Sequence, residues 1–266
     1  MGEVERVSLG GVEGIRVGRF PGAINTTVLV YRIGDALIDA GPPNQWRVLR
    51  DFVREKPVKR VILTHHHEDH SGNVRPLQRE FGLPVSAPAK AVPLLADGYK
   101  IHFYRQVVWG KPLPAKVDPI PEAIELGGGL RLLPIFSPGH SPDMTCFLEP
   151  NRGWLFSGDL FVAALPRYLR SDEDFPQQVE SLRRIIEHEF DTLFCAHRGV
   201  VEKGRQAFRR KLEYLESLRG RARALREKGR EVRQITRELL GKEDLLSWIS
   251  GGHFRKSNLI EACLKD

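Results

Sequence analysis

The feature that most constrains this chain is a short apolar run that leads directly into a cluster of ionisable side chains. Residues 60–64 read as a buried strand, and His65, His67, Asp69 and His70 follow it at once. Because side chains two residues apart in an extended segment project to the same side, His65 and His67 can grip one cation. Asp69 and His70 come on the turn into the next predicted helix, where they can face a second cation.

One loop cannot fill two coordination shells, so further ligands must come from elsewhere in the chain. Three later candidates each follow a predicted strand and a small residue: His140, Asp159 and His197. Loops at strand ends are where a rigid scaffold usually carries reactive groups. Imidazole and carboxylate ligands without thiolate favour two divalent ions, zinc first, with iron or manganese as alternatives, and argue against a purely structural zinc site.

The first two thirds of the chain alternate short apolar runs with glycine or proline turns, which predicts an α/β fold. The predicted strands are 26–32, 36–39, 60–64, 130–136, 144–148, 154–157 and 192–196, and the main predicted helices are 72–81, 176–189 and 205–227. After residue 203 the strands stop and helical patterns follow one another. We therefore expect a catalytic domain over 1–203 and a helical C-terminal extension over 204–266.

The order His-x-His-x-Asp-His, then Gly-His, Gly-Asp and a final His, resembles the pattern of the metallo-β-lactamase superfamily. Leu37-Ile38-Asp39-Ala40-Gly41 looks like the first motif of that family, and the resemblance covers roughly residues 20 to 200. It implies a four-layer αββα sandwich with the metals at one edge. It further implies that His65, His67 and His140 bind one metal, that Asp69, His70 and His197 bind the other, that Asp159 bridges them, and that Asp39 orients a ligand.

The resemblance also implies a reaction, which is hydrolysis by a hydroxide held between the two metals, with Asp69 and Asp159 as catalytic residues. The stretch 158–162, followed by Arg167 and Tyr168, is similar to glyoxalase II, the hydroxyacylglutathione hydrolase. This likeness implies a thioester or other ester of a small molecule as substrate. Arg167 and Tyr168 are its candidate substrate contacts, with a surface ion pair to Asp172 or Glu173 as the alternative, and Arg255, Lys256 and Asn258 are further candidates in the extension. After the last histidine this chain has Arg198-Gly199 where glyoxalase II typically has Glu-Tyr, so the glutathione thioester itself stays open.

The C-terminal third carries an excess of positive charge that favours a second hypothesis. Residues 198–242 contain 15 Lys or Arg against 6 Glu, a net of +9 that exceeds the +7 of the whole chain. Such a block can bind a phosphate backbone, which makes a phosphodiesterase or endoribonuclease acting on RNA the main alternative. Arginine-rich helices with interleaved glutamates are, however, more often solvated faces, and charge patterning alone is weak evidence. A sulfur dioxygenase with a single iron and a non-enzymatic binding module are the remaining alternatives.

The composition sets broader expectations. With 41% hydrophobic and 28% charged residues, the chain has ordinary globular composition. No apolar run reaches membrane-spanning length and residues 1–17 contain no apolar signal core, so we expect a cytoplasmic protein and disfavour a true, exported β-lactamase. Three cysteines are expected to be buried small apolar residues: Cys146, Cys195 and Cys263. Four histidines match no ligand position: His66, His102, His188 and His253. Four aromatic residues are expected either to pack in the core or to wall a pocket: Tyr99, Phe103, Tyr104 and Trp109.

Overall fold

Two β-sheets lie face to face in the computed structural model, which describes residues 5–20 and 26–265. The first sheet has its seven strands in chain order: β1 (Arg6–Leu9), β2 (Val12–Val17), β3 (Val28–Ile33), β4 (Ala36–Ile38), β5 (Arg60–Ile62), β6 (Val85–Ala87) and β7 (Asp118–Pro119). The second sheet has the order β14-β13-β11-β10-β9-β8, formed by β8 (Ile124–Glu125), β9 (Arg131–Phe136), β10 (Thr145–Glu149), β11 (Trp154–Gly158), β13 (Thr192–Cys195) and β14 (Gly199–Val201). A separate pair joins β12 (Leu169–Arg170) to β15 (Phe254–Arg255).

Helices cover the outer faces of both sheets. Those of the first two thirds are α1 (Trp46–Glu55), α2 (Glu68–Ser71), α3 (Val74–Phe81), α4 (Ala91–Asp97), α5 (Phe103–Trp109) and α6 (Phe175–Ile185). Those of the C-terminal extension are α7 (Gly204–Glu227), α8 (Val232–Leu239), α9 (Leu245–Ile249) and α10 (Lys256–Leu264).

Strand β3 shows why the layers form. Its Val28 and Val30 pack in the core beneath the first helical layer, whereas Leu29, Tyr31 and Ile33 pack between the two sheets. A strand that is buried on both faces reads as a continuous apolar run, because each alternate side chain needs its own apolar partner. The predicted α/β class and the αββα layering are therefore confirmed.

The C-terminal helices share one apolar core with the second sheet. Phe208 and Leu215 of α7, Ile235 of α8 and Ile260 of α10 are fully buried in the same cluster as Leu155 of β11. Helix α7 begins at Gly204, but this common core holds the extension firmly on the sheet. The division of the chain into two domains stays a prediction.

Most predicted elements are present. The seven predicted strands match β3, β4, β5, β9, β10, β11 and β13 within two residues. The helix predicted through Glu189 ends at Ile185 instead, because the chain must turn so that Phe190 can enter the core before β13. The three cysteines are free and buried, as expected. In the described part of the chain, no helix is long and apolar enough to cross a membrane.

Candidate metal centre

The seven predicted ligands meet where strand ends of both sheets converge. His65 follows β5 in the first sheet, while Asp159 and His197 follow the parallel neighbours β11 and β13 in the second. Neighbouring parallel strands end at the same edge of a sheet, so the residues that follow them lie close together even when they are far apart in the sequence. The side chains form two buried groups, each with ligand atoms within 4.8 Å of one another: His65, His67 and His140, and then Asp69, His70, Asp159 and His197.

The first group consists of three imidazoles whose nitrogens face one point. Nε2 of His65 lies 2.8 Å from Nδ1 of His67, and Nδ1 of His67 lies 3.1 Å from Nε2 of His140. Burial lowers the pKa of His65 and of His67 well below the ordinary histidine value. Both rings are therefore held in the neutral form that a metal requires.

Asp159 connects the first group to the second. Its Oδ2 lies 3.2 Å from Nε2 of His140, and its Oδ1 lies 3.1 Å from Nε2 of His197 and 3.3 Å from Nε2 of His70. Burial opposes charge on this carboxyl, but the imidazoles of His197, His70 and His140 together outweigh it and hold its pKa well below the usual value. The carboxylate thus faces both groups, as its predicted bridging position requires.

Two buried polar atoms of the cluster, which have no hydrogen-bond partner among the described residues, show whether the site suits a metal ion. Oδ1 of Asp159 and Nε2 of His70 are fully buried, and although they lie 3.3 Å apart, neither has a hydrogen-bond partner among the described residues. Leaving such atoms buried and unpaired is costly. A cation between them would satisfy both, so the residues present fit the divalent ions that this arrangement implies.

Four of the five clustered histidines have their outer nitrogen fixed by an oxygen acceptor. Nδ1 of His70 lies 2.7 Å from Oδ2 of Asp39, and the other three acceptors are Thr64 Oγ1 for His65 at 3.0 Å, Glu173 Oε1 for His140 at 2.9 Å, and the Thr27 carbonyl for His197 at 2.7 Å. Such contacts fix the tautomer, so the inner nitrogen presents a lone pair to a metal. Asp39, which the resemblance implies to orient a ligand, makes such a contact with His70.

Two glycines explain why the motifs read Gly-His and Gly-Asp. A Cβ at Gly139, just before His140, would lie 2.4 Å from the backbone of Gln178 on α6. Gly158, just before Asp159, has a φ of +47°, and a Cβ there would lie 2.4 Å from Met144 and 2.9 Å from Thr64. Only glycine allows these close approaches, which bring the following ligand into the cluster.

Residues 19–197 of the 266 match the family described as the metallo-beta-lactamase superfamily. The chain belongs to this superfamily. Among solved structures, a beta-lactamase domain protein from Burkholderia ambifaria superposes with a TM-score of 0.72 and 16% identity, covering 97% of this chain and 86% of that one. At this identity the likeness shows the metallo-β-lactamase fold alone.

Two curated relatives share the superfamily at moderate identity. One is an atrochrysone carboxyl ACP thioesterase from Aspergillus fumigatus, 28% identical over 71% of this chain and 55% of its own length. The other is a hydroxyacylglutathione hydrolase from Legionella pneumophila, 29% identical over 54% of this chain and 50% of its own length. The chain thus spans about half the length of these relatives.

A buried ion-pair cluster that the sequence did not predict holds the second half of the metallo-β-lactamase motif. Arg105 of α5 donates from Nε to Oε1 of Glu68 at 2.5 Å, and its Nη2 lies 3.4 Å from Oδ1 of Asp69. All three side chains are at most 10% exposed. The guanidinium therefore ties α5 to the metal-binding loop and fixes one oxygen of Asp69.

Arg170 is the cation nearest the first group, and the sequence did not predict it as a residue of the site. Its Nη2 donates to the His140 carbonyl at 2.8 Å and lies 3.3 Å from Nε2 of His67. Its Nε lies 3.0 Å from Asp172, whose pKa is held well below its usual range by His253 and Arg170 in spite of burial. His67 is thus the one clustered histidine whose outer nitrogen faces a guanidinium.

His66 projects away from both groups, in agreement with its exclusion as a ligand. Asp143 accepts hydrogen bonds from the backbone N–H of His66 at 2.7 Å and from its Nδ1 at 2.8 Å. Tyr99, one of the four aromatic residues, donates from its hydroxyl to the His66 carbonyl at 2.7 Å. The middle histidine therefore ties the metal-binding loop of the first sheet to the turn before β10 of the second.

The predicted substrate contacts lie against the C-terminal extension. Nη2 of Arg167 donates to the Leu240 carbonyl at 2.5 Å, and the Tyr168 hydroxyl donates to Asp244. In the described chain, neither forms the alternative ion pair with Asp172 or Glu173, which contact Arg170 instead. The role of Arg167 and Tyr168 in substrate binding stays a prediction.

Proposed function

We propose that this chain is a dinuclear metal-dependent hydrolase that cleaves thioesters. The observation that carries the proposal is the pair of buried donor groups joined by Asp159, whose unpaired atoms suit cations. Two divalent ions held there, zinc by preference and iron or manganese as alternatives, would supply a bound water with a pKa near neutrality and would polarise the carbonyl of the substrate.

Asp69 is the proposed proton acceptor of this site. Arg105 engages its Oδ1, and its Oδ2 faces the second group, 3.6 Å from Nε2 of His70. A carboxylate held in a fixed orientation beside a metal-bound water can steer the proton of that water without reorienting. Arg170 adds positive charge beside the first group, which favours a substrate that carries or develops negative charge there.

Thioesters are the favoured substrates because they are common to the two relatives, whose names describe thioesters of a carrier protein and of glutathione. A thiolate is also a good leaving group, so the chain need not supply a strong general acid. Arg167 and Tyr168 are the proposed contacts to the thiol part of the substrate. A small-molecule partner and the cytoplasmic location expected from the sequence belong to the same proposal, and fractionation of cells tests the location.

The testing experiment combines metal quantitation with a screen of thioester, lactone and phosphodiester substrates. We expect close to two divalent ions per chain and turnover of thioesters. Asp159→Ala should lower the rate by more than the roughly 100-fold that losing an outer partner of a metal site costs. Near-normal turnover in a folded Asp159→Ala protein would contradict the bridging role, and turnover confined to phosphodiesters would contradict the thioester assignment.

RNA cleavage is the second candidate, and one surface feature supports it. A cavity of about 490 Å³ is lined partly by Lys203, Arg205 and Arg209. It adjoins the starts of β11 and β13, however, whereas Asp159 and His197 follow the ends of these strands, so the length of a strand separates the two sites. We expect negligible affinity for single-stranded RNA at low salt, whereas tight binding with a steep salt dependence would favour the nuclease.

A further inference from the structure

We propose that helix α9 is a docking surface for an acidic carrier protein that presents the acyl group as a thioester, an inference that rests on the proposed function. The surface consists of Leu245, Trp248 and Ile249, named here the α9 patch. These side chains are 71%, 76% and 60% exposed. Monomeric proteins rarely leave several large apolar side chains together in water, and such patches usually mark a binding site.

Helix α9 turns its apolar side toward solvent, whereas an ordinary surface helix turns its apolar side toward the core. The α9 patch occupies positions i, i+3 and i+4 and forms one face, which points to solvent. The inward side holds Ser247, which is 3% exposed and donates to Glu243 at 2.5 Å. Because Ser247 is buried and the three apolar side chains are mostly exposed, the apolar face of α9 covers little of the core.

Among the described residues, the exposed unpaired side chains around the α9 patch are positively charged. Arg167, Lys242 and Arg255 are exposed, and none of them takes part in an ion pair among the residues that the structure describes. The nearby acids have partners within the chain: Asp244, whose side chain is 40% exposed, accepts from Tyr168 and pairs with Lys256 at 3.0 Å, and Glu243 accepts from backbone N–H groups of α10. An apolar centre with a cationic rim complements an acidic protein surface with exposed apolar side chains.

The same features disfavour other occupants. In a twofold dimer through this face, the same cations of both copies would approach one another. An interfacial membrane helix carries a strongly charged polar face rich in Lys and Arg, whereas α9 has the sequence LLSWI and contains no charged residue. RNA would be recognised by stacking and by phosphate contacts, and the aliphatic Leu245 and Ile249 supply neither.

The α9 patch is structurally continuous with the metal centre. Tyr168 joins the start of α9 through Asp244 and stacks on Phe254 with ring centroids 5.2 Å apart. Phe254 of β15 pairs with Arg170 of β12, whose guanidinium contacts His67 and His140. A carrier seated on α9 would therefore sit beside the strand that reaches the first histidine group.

Binding is measured without turnover, using purified bacterial holo-acyl carrier protein and the full chain carrying Asp159→Ala. Trp248→Ala combined with Ile249→Ala should weaken binding about tenfold or more, since aromatic anchors dominate such interfaces. Lys242→Glu should weaken it as well and make it less sensitive to salt. Leu113→Ala removes another apolar side chain, 58% exposed, from a different surface and should leave binding unchanged.

In the background with Asp159 intact, the α9 variants should hydrolyse a small-thiol thioester at the unmodified rate. Carrier binding that is equal with and without the α9 patch overturns the inference. It is likewise overturned if the patch mediates only binding to phosphatidylserine vesicles, binding to RNA or a dimer in solution. Hydrolysis of small thioesters without carrier binding contradicts the docking surface alone, whereas patch-dependent carrier binding without any thioester hydrolysis contradicts the proposed function alone.

Discussion

Glu173 illustrates at the scale of one residue how a ligand is oriented. Its side chain is 9% exposed, and Oε1 lies 2.9 Å from Nδ1 of His140. Glu173→Gln removes the charge that holds this proton on the outer nitrogen, so we expect metal affinity to fall by about 10- to 100-fold. Competition with a chelator of known affinity measures the change.

A second carboxylate gives the matched control for this prediction. Glu180 lies on α6, seven residues later, and its side chain is 64% exposed and contacts Arg183. Glu180→Gln should leave metal affinity unchanged, because surface ion pairs contribute little and this one is remote from the clustered histidines. Equal affinities for the Glu173→Gln and unmodified chains would show that His140 does not need its carboxylate partner.

A buried and an exposed Arg–Glu pair allow the effect of burial on stability to be measured with the same two side-chain types. The ion pair between Arg105 and Glu68 has an N–O distance of 2.5 Å and is buried. The ion pair between Arg54 and Glu80 has an N–O distance of 2.6 Å, and its side chains are 55% and 31% exposed. Arg105→Met leaves Glu68 as an uncompensated buried charge and should destabilise the fold by about 3 to 5 kcal/mol. Arg54→Met should cost less than about 1 kcal/mol. Urea unfolding measures both, and equal losses would contradict this account.

The ligand candidates could be predicted from the sequence because each follows a strand in a fixed order. Glu173 and Arg105 could not, because their partners are distant in the chain: His140 precedes Glu173 by 33 residues, and Glu68 precedes Arg105 by 37. Acidic and basic side chains at such separations are common in any sequence, and only the folded contacts distinguish these two. Arg170 escaped for the same reason, although the resemblance drew attention to Arg167 and Tyr168 close by.

At the scale of elements, Lys211 on α7 gives a pH-dependent prediction. The side chain is buried and donates to the Leu160 carbonyl at 2.5 Å, and burial lowers its pKa from 10.5 to about 8. Between pH 8 and 10.5 the folded chain therefore binds fewer protons than the unfolded chain, so raising the pH through this window stabilises the fold.

The comparison with Lys211→Met isolates this effect from other titrating groups. The stability of the unmodified chain relative to the variant should rise by up to about 3 kcal/mol between pH 8 and 10.5, because one pKa unit corresponds to about 1.4 kcal/mol. Urea unfolding of both proteins at several pH values measures the difference. A difference that stays constant across this window would show that Lys211 keeps its proton when folded.

Periodicity predicted the strands that are apolar throughout and missed the shorter or more polar ones. Strand β1 has the sequence RVSL and is mostly exposed, so its pairing with β2 left no strong pattern. The turn of this hairpin uses Gly10 and Gly11 at φ +59° and +93°, a glycine signal that could have predicted it. Strands β6 and β14 have three residues each, too few for alternation to be distinguished from a loop, and unlike the equally short β4 and β5 they do not adjoin a motif with Asp39 or His65.

At the scale of the whole molecule, the metal centre takes its ligands from both sheets and adjoins the C-terminal extension. His65 and His70 follow a strand of the first sheet, and Asp159 and His197 follow strands of the second. Arg170 of β12 connects the first histidine group to the extension through the pairing of β12 with β15. Without cations, this junction contains buried imidazoles close together and Oδ1 of Asp159, a carboxylate oxygen without a hydrogen-bond partner among the described residues. Metal binding should therefore stabilise the contact between the sheets.

Removal of the metal should consequently lower the stability of the entire chain. A ligand that binds only the folded state adds about 2.7 kcal/mol when its concentration is 100 times its dissociation constant. We expect a chelator to lower the thermal unfolding midpoint by several degrees and added zinc to restore it. Asp159→Ala should lose most of this shift, while Glu180→Gln should keep it. An unfolding midpoint that does not respond to chelator or metal, in a chain shown to release its metal, would mean that the two sheets hold the seven side chains in place without the cations.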